Sequence, residues 1–162
     1  MNTLQKYLLL TLLLLPAIMT HAQSDLNIEK IFNNYGKQEG SILIELGNDV
    51  LGGHTQINTY KSLITASDPK VIEVTEKALE TDVERGSKLL ESIKDGKLET
   101  GYYFLRKNND TYEHEYILFK NKSKKMTLIY LKGTFPPEQL EKELNKLKDL
   151  FIKVNNKRIK LQ

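Results

Sequence analysis

Three segments, LETGYYFLR (98–106), TYEHEYILFK (111–120) and KMTLIYLK (125–132), decide the fold of this chain. Each is rich in the aromatic and β-branched residues that favour strands. The connections between them, residues 107–110 and 121–124, are short and polar. A parallel pair of strands needs a long crossover, whereas a short turn joins antiparallel neighbours. The segments therefore predict an antiparallel meander of three strands.

The rest of the chain predicts two more strands and several helices. Residues 41–46 alternate in polarity and residues 56–65 are rich in Ile, Thr and Tyr, so both favour strands. Apolar residues at helical spacing predict a helix over 70–94, either kinked at Gly86 or split there into two helices, and an amphipathic helix after Pro136. We expect an α+β fold in which helices, including the C-terminal one, cover one face of a largely antiparallel sheet of about five strands.

The N-terminus has the pattern of a secretory signal peptide. Lys6 precedes an apolar run at residues 8–19, and Thr20 and Ala22 are the small residues of a cleavage site. The run is shorter than the roughly 20 apolar residues that span a bilayer as a helix. Residues 1–22 are therefore predicted to be removed, leaving residues 23–162 as a single domain in the periplasm or outside the cell, without a membrane span.

The composition excludes several kinds of site. The chain has no cysteine, which excludes disulfides, a cysteine nucleophile, thiolate metal sites and a lipid anchor. Removing residues 1–22 takes away one Lys and no acidic residue, so the formal net charge falls from +3 to +2. Basic and acidic residues are mixed along the mature chain, whereas nucleic-acid binders usually have a clustered basic face. We expect no nucleic-acid partner.

Four short strings carry a resemblance to a known group of proteins. They are YKSL (60–63), GYY (101–103), YILFK (116–120) and TLIYLKG (127–133), in this order behind a signal peptide with Ala-Gln at its cleavage site. In these features the chain is similar to small exported proteins of Bacteroidota that carry a domain of unknown function. The resemblance implies the exported location and the fold, but no reaction and no functional residue.

The histidines of the mature chain suggest no convincing catalytic or metal site. Glu113 and Glu115 should point away from His114 on a strand, so the three cannot meet at one ion without a bulge. His54 follows Gly52 and Gly53 in a loop, but no partner for it is evident in the sequence. We therefore predict no catalytic residue, no cofactor and no metal.

Tyrosines are concentrated in the predicted meander, at positions 102, 103, 112, 116 and 130. Tyrosine is favoured both in half-buried strands and at binding surfaces. Sheet packing is one interpretation. The other is an exposed aromatic patch formed by Tyr102 or Tyr103 together with Tyr130.

Two functional hypotheses follow. The first is a non-catalytic binding module that uses a sheet face or an unpaired edge strand to hold an envelope protein, a peptide or a glycan. The second is a small hydrolase or ligand carrier built around His54 and the glycine-rich loop 47–56. The tyrosine-rich meander favours the first hypothesis.

Overall fold

The computed structural model describes residues 26–84, 86–108 and 112–159. The predicted signal peptide, residues 1–22, lies outside these residues. The helices are α1 (Ile28–Tyr35), α2 (Asn48–Leu51), α3 (Pro69–Val83) and α4 (Leu140–Ile159), with a 3-10 turn at Pro137–Gln139 before α4. The strands are β1 (Ile42–Leu46), β2 (Ile57–Ala66), β3 (Ser87–Lys94), β4 (Lys97–Asn108), β5 (Glu113–Lys122) and β6 (Lys125–Gly133). Among the described residues, no helix is both long and apolar enough to cross a membrane.

The six strands form one sheet in the order β1-β2-β6-β5-β4-β3. All of its strand pairs are antiparallel. The predicted meander is confirmed as β4, β5 and β6, and the α+β class is confirmed as well. The turn between β5 and β6 contains only Ser123 and Lys124, both with positive φ, at 56° and 62°. That conformation at two successive positions is typical of the tight turns that join hairpin strands.

The prediction of about five strands was one too few, because residues 87–94 form β3 and not the end of a helix. Helix α3 begins as expected at Pro69, with the Asp68 side chain accepting hydrogen bonds from the Lys70 and Val71 amides, but it ends at Val83. The turn between β3 and β4 is Asp95-Gly96, with φ values of 52° and 74°. An Asp-Gly pair is a strong signal for a two-residue hairpin turn, and it decides the conformation here.

Two adjacent apolar residues of β3 lie on the same face of the strand. The pairing with β4 shifts register between Lys88 and Leu90, so Leu89 is the extra residue of a β-bulge. A bulge changes the phase of the alternation by one residue. Leu89 and Leu90 therefore lie on the side of the sheet that faces α4, whereas Ile93 lies on the side that faces α3. The i, i+1, i+4 spacing of these three residues is typical of a helix, but here they belong to two faces of a strand.

Helices cover both faces of the sheet, so the prediction of one covered face was wrong. Helices α1 and α3 pack on the face that carries Ile117 and Phe119. Helix α4 packs on the opposite face, over Tyr116 and Leu118. The central strand β5 is apolar on both faces, which is the pattern of a strand with a helical layer on each side.

The loop between β1 and β2 is held against α4 by a buried carboxylate. Glu143 is fully buried, and its Oε2 accepts a hydrogen bond of 2.8 Å from the Gln56 amide. Its Oε1 accepts another, of 2.7 Å, from the Lys146 ammonium group. Burial alone would raise the pKa of Glu143, but these hydrogen bonds outweigh it and the pKa lies below its ordinary value. The carboxylate therefore fixes the N-terminal part of α4 beside the sheet.

Candidate binding groove

The structure does not bring Tyr102, Tyr103 and Tyr130 together on one surface. Tyr103 is buried under α3, where its hydroxyl donates a hydrogen bond of 2.9 Å to Glu91 Oε1. Tyr130 is half-buried and packs against the same core. Tyr102 lies on the opposite face, half-buried beside α4. Of the three, Tyr102 is the one that lines the groove described below.

Side chains of the Glu113-His114-Glu115 segment contact neighbouring parts of the fold. His114 Nδ1 lies 2.7 Å from the Phe135 carbonyl oxygen. The Tyr116 hydroxyl donates a hydrogen bond of 2.6 Å to that same oxygen. Glu113 forms an ion pair of 2.8 Å with Lys132. Within the described ranges, no group of three or more His, Asp or Glu side chains is arranged to hold a metal ion.

His54 lies on the surface, after the short helix α2. Its backbone amide donates a hydrogen bond of 3.1 Å to the Leu51 carbonyl oxygen, which continues the last turn of α2. The side chain is exposed. The two clefts described below, both formed by described residues, do not include it.

A groove of about 610 Å³ lies between the N-terminal half of α4 and strands β3 and β4. Its floor and walls are mainly apolar: Leu89, Leu90, Tyr102, Pro137, Leu140 and Leu144. Glu138, Glu141 and Asn145 supply its polar atoms. Binding sites are typically concave, mostly apolar and bordered by a few polar groups, and this groove has that composition.

The β3 side of the groove is also the end of the sheet. Strand β3 pairs with β4, and no other strand in the described part of the chain pairs with its outer edge. Leu89 and Leu90 are 40% and 49% exposed. Because of the bulge, both leucines line the same groove. Exposed apolar side chains on an unpaired strand are a ready site for another extended chain.

A second cleft, of about 590 Å³, lies on the other side of β3, under α3. It is lined by the carboxylates Glu76, Glu80 and Glu91 together with Lys88 and the buried Tyr103. Burial, followed by the nearby Glu80, raises the pKa of Glu76. The side-chain contact from Lys88 holds the pKa of Glu91 below its ordinary value. Strand β3 thus presents Leu89 and Leu90 towards α4, and Lys88, Glu91 and Ile93 towards α3.

The comparison with protein families identifies the chain. A family of unknown function, DUF6108, matches residues 15–144. The chain belongs to DUF6108. No curated protein and no solved structure matches the chain.

The range matched by DUF6108 includes the whole sheet and the beginning of α4. It also includes every residue that lines the groove up to Leu144. The groove is therefore built within the DUF6108 domain, and only the neighbouring Asn145 on α4 lies beyond the match.

Sequence reasoning missed the two leucines of the groove because it assigned residues 87–94 to a helix. The signal that could have found them is the Asp95-Gly96 pair, which predicts a hairpin and hence a strand on its N-terminal side. Glu143 was missed for another reason. A glutamate on an amphipathic helix is usually exposed, and its burial follows from the contact with the loop at Gln56.

Proposed function

We propose that this DUF6108 protein is a non-catalytic binding module that holds an extended segment of a partner protein in the groove between α4 and the edge strand β3. The supporting observation is the position of Leu89 and Leu90, which are exposed on an unpaired edge and line an apolar groove. An added strand would pair with the backbone of β3, and its alternate side chains would enter the groove.

The chemistry of the groove favours a protein segment over a glycan. Its surface is mostly aliphatic, with Tyr102 as the single aromatic residue. Burial of aliphatic surface stabilises a complex with an apolar chain. The carboxylates of Glu138, in the 3-10 turn before α4, and of Glu141, in the first turn of α4, border the groove. They favour a segment that carries Lys or Arg next to its apolar residues.

The groove also offers little for catalysis. Acyl transfer needs a nucleophile with a general base in reach, and the residues that line the groove include no serine, cysteine, threonine or histidine. Binding is thus better supported than hydrolysis.

The proposal includes export of the domain. The signal-peptide pattern in residues 1–22 supports secretion to the periplasm or the cell exterior, and the absence of cysteine supports a form without a lipid anchor. A source among Bacteroidota and a partner in the cell envelope are expectations that rest on the resemblance of the strand sequences.

Selection of peptides tests the proposed function. The processed chain is immobilised and used to select binders from a displayed library of random peptides. We expect enrichment of peptides with alternating apolar residues and basic neighbours. Their affinity should fall about tenfold or more for Leu90→Ser, because that leucine lines the groove.

The matched control is Ile42→Ser. Ile42 is 54% exposed on β1, the strand at the other edge of the sheet, so its replacement removes a similar apolar surface. Selected peptides should bind this variant as they bind the original chain. No enrichment, or equal loss of binding in both variants, would contradict the proposed function.

A further inference from the structure

We infer that the partner segment includes β3 of a second copy, so that the chain forms a two-fold symmetric dimer by antiparallel pairing of its β3 edges. This inference rests on the proposed function of the groove and names one occupant for it. It is carried by the sequence of β3, by its bulge and by the distribution of its charges over the two faces.

The sequence SKLLES (87–92) is complementary to itself when two copies run antiparallel. With the symmetry axis between Leu89 and Leu90, Lys88 lies opposite the partner's Glu91, and Glu91 lies opposite the partner's Lys88. Leu89 lies opposite the partner's Leu90, and the serines at the two ends also face each other. Opposite charges and paired apolar residues stabilise cross-strand neighbours. This stretch of the edge strand therefore fits its own copy in charge and in polarity.

The bulge makes this register compatible with two-fold symmetry. In an antiparallel pair, two residues that lie directly opposite each other point to the same face of the sheet. In a regular strand only residues separated by an even number of positions share a face, so a two-fold axis between two copies must place one residue opposite its own copy. The proposed axis lies between Leu89 and Leu90. In a regular strand these two neighbours would point to opposite faces and could not lie opposite each other. The extra residue Leu89 corrects the phase, since it brings Leu89 and Leu90 to the α4 face and Lys88 and Glu91 to the α3 face.

The dimer would cover the two exposed leucines of β3. Leu89 and Leu90 of both copies would form one cluster on the α4 face, next to the two grooves. On the α3 face, Lys88 already forms an ion pair with Glu91 of its own strand. Across the axis, each of the two groups gains a second partner of opposite charge.

The other edge of the sheet lacks these features. Strand β1 is shorter, with the sequence ILIEL. Its one charged residue, Glu45, forms an ion pair of 2.6 Å with Lys61. A second copy of β1 would offer it a carboxylate and no cation. Ile42 on this edge is therefore the natural control position.

Sedimentation equilibrium of the processed chain over micromolar to millimolar concentrations tests the inference. We expect a reversible monomer–dimer equilibrium. Lys88→Glu and Glu91→Lys should each raise the dimer dissociation constant about tenfold or more, because each creates two pairs of like charges across the axis. The decisive sample is a mixture of the two variants. Lys88→Glu has acidic residues at positions 88 and 91, and Glu91→Lys has lysines at both. Each position then lies opposite a residue of opposite charge in the other variant, so the mixture should form a heterodimer.

The mixture separates an effect across the interface from an effect within the strand. Loss of the ion pair between Lys88 and Glu91 of one chain cannot be restored by adding another chain. If the mixture stays monomeric, or if either single variant dimerises like the original chain, the register is wrong. Should either variant unfold, Leu90→Lys and Ile42→Lys replace them, and dimerisation should be lost in the first and kept in the second.

The two proposals fail in different ways. A chain that is monomeric at all concentrations but binds selected peptides overturns the dimer and leaves the binding function in place. A chain that forms the heterodimer from the variant pair but enriches no peptide supports the dimer and overturns the wider binding function. If Ile42→Lys still dimerises and Leu90→Lys does not, the result supports β3 as the interacting edge and a second copy of the chain as its partner.

Discussion

Leu90 pairs with Tyr102 across the ladder between β3 and β4, and both side chains line the groove beside α4. The next residue along β4, Tyr103, points to the other face and donates its hydrogen bond to Glu91. Adjacent tyrosines of one strand therefore have different roles, one at the groove and one in the core.

The two adjacent tyrosines give the first prediction. Tyr102→Ala should weaken binding of a selected peptide about tenfold, because it removes the one ring from the groove. Tyr103→Phe should leave that affinity unchanged and reduce the free energy of unfolding by about 0.5–1.5 kcal/mol, because it removes a hydrogen bond on the other face. Calorimetric titration and urea denaturation measure the two effects. Equal loss of affinity in both variants would contradict the assignment of the faces.

The second prediction concerns the packing of α4. Leu147 is 3% exposed, whereas Leu144 is half-buried at the groove. Leu147→Ala should reduce the free energy of unfolding by about 2–5 kcal/mol, the usual range for a buried leucine. Leu144→Ala should cost less, because part of its surface is already in water. Urea denaturation of the two variants checks the order, and a larger loss for Leu144→Ala would show that α4 is packed differently.

The third prediction is the pH dependence of the Glu143 contact. Its pKa is lower in the folded chain than in the unfolded one, so its stabilising contribution is full above the unfolded pKa and is lost as the pH falls through the folded pKa. Glu143→Gln should therefore reduce the free energy of unfolding by about 1–3 kcal/mol near pH 7, and this difference should shrink below the ordinary carboxyl range. Denaturation curves over a pH series measure it. The control is Glu141→Gln on the exposed side of α4, which should change stability little at any pH.

The fourth prediction uses the turn between β5 and β6. Lys124 has φ of 62°, a conformation that costs a residue with a side chain more than it costs glycine. Lys124→Gly should raise the free energy of unfolding by about 0.5–1 kcal/mol. Lys122→Gly, within the strand, should lower it by a similar amount. Thermal denaturation of both variants measures the two changes in stability. Destabilisation by both substitutions would show that this turn has another conformation.

The fifth prediction concerns processing. The intact mass of the protein exported by its native host should correspond to a chain that begins at Gln23, either as glutamine or as its cyclised form. Mass spectrometry of the envelope and culture fractions measures it. Recovery of the chain with residues 1–22 in the membrane fraction would contradict cleavage.

Much of the fold could be predicted from local patterns. The short polar segments 107–110 and 121–124 of the sequence predicted the meander, and Asp68 with Pro69 predicted the beginning of α3. These features depend on short-range chemistry that a single sequence contains. The packing of α4 on the second face of the sheet could not be predicted. An apolar stripe shows that a helix packs against something, but it does not specify which face of the sheet.

The groove was less predictable than the fold. Tyr102 and Tyr103 are successive residues of a strand and therefore point to opposite faces, but their exposure depends on which helix covers each face. Leu89 and Leu90 were missed because adjacent apolar residues do not alternate as those of a regular strand do, and the bulge that places both on one face depends on the pairing with β4. Register and long-range packing decide both features, and neither is encoded in the local sequence pattern.

Hydrogen exchange at the outer edge of β3 tests the central claim most directly. The backbone amides that face outward from β3 have no strand partner in the described chain. We predict that these amides exchange more slowly when the groove is occupied, by a second copy at high concentration or by a selected peptide, while the amides of β1 keep their rates. Unchanged exchange at β3 under both conditions, or slower exchange at β1 in its place, would contradict a binding site at this edge.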